Sequence, residues 1–274
     1  MKYNIFTVAN KSYAPFLDIF INSVLDKCKN VNSIFVGDAG LENYRNYFLK
    51  KEKVIILDSF CDDNFFGIHS NGWAEATQQK TILLLRLLKN HDFNIPLVMI
   101  DSDVCLLNDI ETLIDKNCDI QITKRPEILN AAGILLKEIA SFMIFNNMNE
   151  SKKFVHLWIE KMKLLSEENV ILPHETPALN LLVKEKTLNL KIGHFEEKKV
   201  CSPNKIYKDT YSIHFKSNGK TSDSRIFNFE SRLNNKNIDN LSGVDIDVGK
   251  YLGDEFYRQW KHQINLEDKQ RTFK

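Results

Sequence analysis

An α/β fold with a mostly parallel central sheet flanked by helices is predicted by two observations. Short apolar runs of strand length alternate with longer stretches of helical period, and polar turn residues separate the two kinds of segment. Such alternation calls for right-handed crossovers between parallel strands.

The elements follow in order. Ile5-Phe6-Thr7-Val8-Ala9 is a strand, and after a polar turn a helix opens near Pro15, with Phe16, Ile19, Phe20, Ser23 and Val24 at helical spacing. Ile34-Phe35-Val36 before Gly37-Asp38 is a second strand, residues 42–50 a helix, and Val54-Ile55-Ile56-Leu57 a third strand. A loop over 58–72 leads to a long helix over 73–88, and then Pro96 introduces the strand Leu97-Val98-Met99-Ile100. Residues 119–123 predict a strand ending in Lys124-Arg125-Pro126, and 141–145 a further one. A helix over 150–165 carries the stripe Phe154, Leu157, Trp158 and Met162 or Leu165; a polar loop from Pro173 then opens a short helix. In Tyr211-Ser212-Ile213-His214-Phe215, alternation sets Tyr211, Ile213 and Phe215 on one face and His214 on the other, before an Asn218-Gly219 turn. The remainder is charged and mixed, with a helix around 251–263 bearing Phe256 and Trp260 beside Arg258, Lys261 and His262. The expected division is 1–221 as one catalytic domain and 222–274 as a C-terminal helical extension packed on it. Membrane-surface or partner contact is the alternative for that extension.

A chain of 274 residues with 43% hydrophobic residues can bury a substantial core. Its net charge of +1, without long basic blocks, argues against a nucleic-acid partner. The N-terminus has no signal-peptide pattern and no window approaches the ~20 apolar residues that span a bilayer, so a cytoplasmic protein is expected. Five widely spaced cysteines fit neither metal-knuckle nor redox spacing and read as reduced.

Chemistry concentrates at Asp101-Ser102-Asp103, directly after the fourth strand. Because strand side chains alternate faces, Asp101 and Asp103 point the same way and Ser102 the other, and their mutual repulsion favours a divalent cation such as Mg²⁺ or Mn²⁺. Asp101 as a turn cap and Asp103 as a solvated carboxylate is the other reading. In the long helix Trp73, Ala76, Lys80, Leu84 and Leu87 form one stripe, so Lys80 holds a position suited to an apolar residue. It either reaches a phosphate or sugar hydroxyl at the ligand edge of the sheet or snorkels to solvent. His214 reads as a third metal ligand or a structural histidine, Lys220 as a phosphate contact, and Glu175 as a helix cap or a functional carboxylate.

Taken together, the strand at 6–9, Gln79-Lys80, the Asp-x-Asp of Asp101 and Asp103, Ser141-Phe142-Met143, the Glu175 to Asn180 helix start and the late His214, Gly219 and Lys220 resemble, in that order, the GT-A fold glycosyltransferases. The similarity is to the retaining family 8 and related branches, over residues 3–220. The resemblance implies a Rossmann-like GT-A domain that moves a sugar from a nucleotide-diphosphate donor, UDP-sugar foremost, to a saccharide or glycolipid acceptor. It implies Mn²⁺ or Mg²⁺ on Asp101, Asp103 and His214. Thr7, Ala9 and Asn10 would lie against the nucleoside, with Ser102, Lys80, Gly219 and Lys220 also binding the donor. Glu175, Lys80 and Asn180 would be catalytic, flanking the sugar and acceptor. A role in bacterial surface-polysaccharide synthesis, at the inner face of the membrane through the C-terminal region, is the corresponding expectation. Two departures from family 8 stand out: Glu175-Thr176 replaces an Asp-Gln pair, and Gly219-Lys220-Thr221 replaces a Gly-x-x-Lys-Pro-Trp-like ending.

Two rival readings accompany it. Ile100-Asp101-Ser102-Asp103-Val104 resembles the nucleophile strand of haloacid-dehalogenase-type phosphatases, with Asp101 phosphorylated, although Val104-Cys105 replaces the usual Gly-Thr. The chain could also be a non-catalytic domain that binds nucleotide-sugar or a partner.

Overall fold

The computed structural model describes residues 1–58, 71–90, 94–129, 133–167, 175–200, 209–215 and 249–259, together with 261, 262 and 266. In chain order its elements are β1 (Tyr3–Ala9), α1 (Ala14–Lys27), β2 (Val31–Asp38), α2 (Arg45–Phe48), β3 (Val54–Asp58), α3 (Asn71–Asn90), β4 (Leu97–Ile100), β5 (Val104–Leu106), β6 (Ile120–Leu129), β7 (Leu135–Phe145), α4 (Met148–Glu167), α5 (Glu175–Glu185), β8 (Ile192–Glu196), α6 (Glu197–Val200) and β9 (Ser212–His214). Seven strands make one sheet in the order β3-β2-β1-β4-β7-β6-β8, and β5 with β9 makes a separate two-stranded sheet.

The large sheet is mostly parallel because long crossovers join its strands; β7 alone opposes its neighbours β4 and β6, since a short connection turns the chain back after β6. Both faces are covered, which explains the unbroken apolar run of β4. Val98 and Ile100 pack with α1, α2 and Phe256, whereas Leu97 and Met99 pack with α3, α4 and α5. The chain leaves β1 for β2 and β3 on one side and returns to β4 on the other. The carboxyl ends of β1 and β4 therefore flank a topological switch point, where open α/β sheets form a ligand crevice.

Several local expectations need correction. Residues 42–50 do not form one helix: a 3-10 turn at Glu42–Tyr44 precedes the single turn of α2. Glu42, at φ 48°, begins that turn in the left-handed region. β6 does not end at Lys124 but runs through Pro126 to Leu129, with an irregular register between Lys124 and Ile128 that accommodates a residue lacking an N–H. β7 starts at Leu135, well before 141. The sequence pattern predicts neither β5 nor β8. The three residues of β5 continue the apolar run beyond the aspartates, and β8, Ile192-Gly-His-Phe-Glu, has only two strongly apolar residues.

At the C-terminal end, residues 249–251 form a 3-10 turn and 254–259 are helical. This segment lies on α1 and α2. The buried Asp18 carboxylate accepts from Gly253 N (3.0 Å) and Tyr47 Oη (2.9 Å) and pairs with Lys51 (2.8 Å), and Phe256 stacks on Tyr47 at 4.4 Å. No helix among the described residues is long and apolar enough to cross a membrane.

Candidate active site

Asp101 follows directly on β4 at the switch point, its N–H donating to Ser141 O on β7 (3.0 Å). The two aspartates do not converge by strand alternation. β4 ends at Ile100, residues 102 and 103 form a turn, and the chain moves into β5 of the small sheet. That small sheet completes the cluster. β9 pairs antiparallel with β5 so that His214 lies opposite Val104, and Phe215 N donates to Asp103 O (2.7 Å). Ile213 and Phe215 pack with Phe16 and Ile19 of α1, which turns His214 toward the aspartates. Its Nε2 lies 3.1 Å from Asp103 Oδ1 and 3.8 Å from Asp101 Oδ2.

One ligand atom from each of Asp101, Asp103 and His214 lies within 4.8 Å of the others. Oxygen and imidazole donors bound at about 2.1 Å to one ion stand roughly 3 Å apart when adjacent, so the spacing suits a small divalent cation. Two nearby carboxylates with an imidazole also supply the charge and donor hardness that Mn²⁺ or Mg²⁺ requires. The residues fit the group.

Lys80 reaches the same carboxylate from the opposite layer. Its Nζ lies 2.9 Å from Asp101 Oδ1, 3.5 Å from Glu175 Oε1 and 3.2 Å from Ala140 O. The last contact depends on a bulge. Ile122 pairs with Met143 and the next residue, Thr123, with Ile139, so Ala140-Ser141-Phe142 loop out of register and turn a backbone carbonyl toward α3. Burial works against the Lys80 ammonium, but the Asp101 and Glu175 carboxylates outweigh it and hold its pKa above the ordinary lysine value. Lys80 is thus a buried, charged bridge and not a snorkelling side chain.

Glu175 opens α5, and its backbone carbonyl accepts from Trp158 Nε1 (2.7 Å), which anchors the helix start. Its Oε2 is buried and makes no hydrogen bond. Asn180, one turn further on, is engaged differently. Its Oδ1 accepts from Lys137 N (2.6 Å) and Glu138 N (2.9 Å), and its Nδ2 donates to Glu138 O (2.7 Å) and Thr176 O (2.8 Å), so the amide fastens α5 to β7.

The expected nucleoside contacts lie at the end of β1. Thr7 is fully buried with Oγ1 making no hydrogen bond, Ala9 O accepts from Ala39 N (2.9 Å), and Asn10 Oδ1 caps the next turn at Ser12 N and Tyr13 N. Ser102 is buried in the turn between the aspartates. Gly219 and Lys220 lie outside the described residues. Sequence reading missed the Ala140 carbonyl, the Ser141 carbonyl and the Trp158 anchor. Two of these are backbone groups, which leave no residue-type signal, and Trp158 reads simply as part of a core stripe.

No protein-family model and no curated protein matches the chain. Among solved structures it is similar to the apo structure of the bifunctional glycosyltransferase WbbM, at 12% identity and a TM-score of 0.51, over 83% of this chain and 49% of that one. It is also similar to the glycosyltransferase GlyE of Streptococcus pneumoniae TIGR4, at 14% identity and a TM-score of 0.44, over 72% of this chain and 46% of that one. The chain thus spans about half the length of either structure. With its seven-stranded, mostly parallel sheet between helical layers, the fold is of the GT-A, Rossmann-like class.

Proposed function

We propose that the protein is a metal-dependent glycosyltransferase that moves a sugar from a nucleotide-diphosphate donor, UDP-sugar foremost, to a saccharide or glycolipid acceptor with retention of configuration. The observation that carries this reading is the convergence of Asp101, Asp103 and His214 at the carboxyl edge of the sheet, beside the β1–β4 switch point. In this reading those three residues hold Mn²⁺ or Mg²⁺. When bound, the ion would stabilise negative charge developing on the leaving diphosphate.

The protein's own groups do the rest. Lys80 fixes Asp101 and keeps a positive charge at the sugar side of the cluster. Glu175, held by Lys80 through one oxygen, offers the other to the sugar as nucleophile or stabiliser. Asn180 acts by positioning, since its amide holds β7 beside the cluster. In this reading Thr7, Ala9, Asn10 and Ser102 border the donor nucleotide, and Gly219 and Lys220, outside the described residues, are its further binding residues. The catalytic domain comprises 1–221 and the extension 222–274, in a cytoplasmic protein serving surface-polysaccharide assembly.

The test is thermal unfolding with UDP, GDP and CMP, each with and without Mn²⁺, on wild type and Asp103→Ala. At about 100 times its dissociation constant a nucleotide adds roughly 2.7 kcal/mol, a rise on the order of 5–10 °C for a chain of this size. A rise with one nucleotide that needs Mn²⁺ and disappears in the variant supports the reading and identifies the donor base. No rise with any nucleotide, or an acyl-phosphate trapped on Asp101, overturns it.

A further inference from the structure

His214 comes to the cluster on β9, which belongs to the two-stranded sheet and not to the seven-stranded one. The small sheet pairs over three residues only: Val104 with His214, Cys105 with Ile213 and Leu106 with Ser212. A ribbon this short is not stable by itself and takes its position from whatever covers it. Residues paired across antiparallel strands share a face, so Cys105 and Ile213 lie together on the face away from His214. The cover on that face has two sources. Phe16 and Ile19 of α1 are one, and Tyr251, from far along the chain, is the other. Leu252 and Tyr257 border the same apolar cluster.

The segment that delivers Tyr251 is fastened along α1. Asp18, Asn22 and Asp26 follow one another at four-residue steps on that helix and so form one stripe. Asp18 Oδ2 accepts from Gly253 N (3.0 Å), Asn22 Nδ2 donates to Tyr251 O (2.6 Å), and Asp26 Oδ2 accepts from Tyr251 Oη (2.5 Å). Lys250 Nζ stands 3.7 Å from Asp26. Asp18 is wholly buried, and a buried carboxylate needs its partners. Lifting the segment would remove one of its donors and two further hydrogen bonds together, so the segment is seated as a unit. The Tyr251 ring, held at its backbone and at its hydroxyl, is thereby fixed among Cys105, Ile213 and Phe215.

We infer that residues 249–257 form a strap that positions His214. Tyr251 holds the outer face of β5 and β9, and the histidine on the other face stays within reach of Asp101 and Asp103. Tyr251 is therefore a positioning residue, acting through Cys105 and Ile213. Coupling of this kind is reciprocal: if the seated strap favours the arrangement that binds a cation, a cation favours the seated strap by the same factor. The inference rests on the reading of Asp101, Asp103 and His214 as a cation site and not on sugar transfer.

The test is Mn²⁺ titration of the full chain, with free Mn²⁺ followed by electron paramagnetic resonance, beside hydrogen exchange read by mass spectrometry. Tyr251→Ala should weaken Mn²⁺ binding about tenfold, whereas Tyr251→Phe, which keeps the ring and loses only the bond to Asp26, should lose less. Asn22→Ala/Asp26→Ala lifts two fastenings at a half-buried and an exposed position and should weaken binding in the same direction, which decides the matter if Tyr251→Ala does not fold. Gly37→Ala strains β2 away from the strap and should bind Mn²⁺ like wild type, which separates positioning from a general loss of stability. In metal-free protein, Tyr251→Ala should speed exchange over 212–215 and leave 3–9 unchanged. Mn²⁺ should slow exchange over 250–257 in wild type but not in Asp103→Ala. Equal Mn²⁺ affinity in wild type, Tyr251→Ala and the double variant overturns the inference and leaves the cation site standing. Equal loosening of 3–9 and 212–215 also overturns it, since Tyr251 would then act on the whole fold. No Mn²⁺ binding by wild type overturns the cation reading, and the inference with it.

Discussion

Replacing Lys80 with methionine keeps the aliphatic stem and removes the charge that joins the two halves of the candidate site. Lys80 is 8% exposed, and its ammonium lies 2.9 Å from Asp101 and 3.5 Å from Glu175. Without it, two carboxylates face each other with no cation between them. Removing one partner of a buried ion pair costs about 3–5 kcal/mol. The Asp101 side chain is 25% exposed, so water relieves part of that cost and about 3 kcal/mol is the working figure. For a chain of this size the melting temperature should fall by about 6–12 °C. Urea unfolding at neutral pH should show a lower midpoint with an unchanged slope. Lys80→Met/Glu175→Gln removes one of the stranded carboxylates and should recover about half of the loss. Added Mn²⁺ should stabilise Lys80→Met more than wild type, because a cation at Asp101 takes over part of the neutralisation. A loss below about 1 kcal/mol, or a double variant no more stable than the single one, would refute the argument that Lys80 is the electrostatic link between Asp101 and Glu175.

Asn180→Ala strands Lys137 N, Glu138 N and Glu138 O and should cost about 2–4 kcal/mol by denaturant titration. Trp158→Phe removes the bond to Glu175 O and should cost about 1–2 kcal/mol in denaturant titration. Gly37→Ala brings a Cβ to 2.8 Å from Leu83 Cδ1 and 2.9 Å from Val8 Cγ2; leucine can yield but the stiff valine cannot, so a loss of about 1–3 kcal/mol is expected in thermal unfolding. Burial raises the Glu138 carboxyl, but His194 outweighs it and the pKa sits below the ordinary glutamate value. Its stabilisation is therefore complete above about pH 4.3 and is lost as pH falls through the depressed folded value, so Glu138→Gln should lower stability at neutral pH and flatten the acid limb of the stability curve.

The sheet was legible wherever a strand is covered on both faces. β1 and β4 are buried from end to end and announce themselves as apolar runs. β8 is an edge strand with a half-exposed surface, and its glycine sits at position 193 because a side chain there would meet Cys118 Sγ; such a strand has little composition to distinguish it from a loop. The site was legible through residue type. Asp101, Asp103, Lys80, His214 and Glu175 all stand out by charge, by spacing or by misfit with an apolar stripe, and these five side chains, from the residue after β4, the turn that follows, α3, β9 and α5, form one continuous set of contacts. Asn180 was equally visible, but its hydrogen bonds show it fastening α5 to β7.

What the sequence determined by itself is therefore the alternation of strand and helix and the identity of the groups able to do chemistry, because burial selects apolar runs and chemistry selects particular side chains. Tertiary structure alone decided how those groups meet. The aspartates converge through a turn between two sheets and not through strand alternation, and the bulge at Ala140 to Phe142 arises only when β7 pairs with β6. Register, strand order and pairing arise between segments far apart in the chain, so no local pattern of residues encodes them.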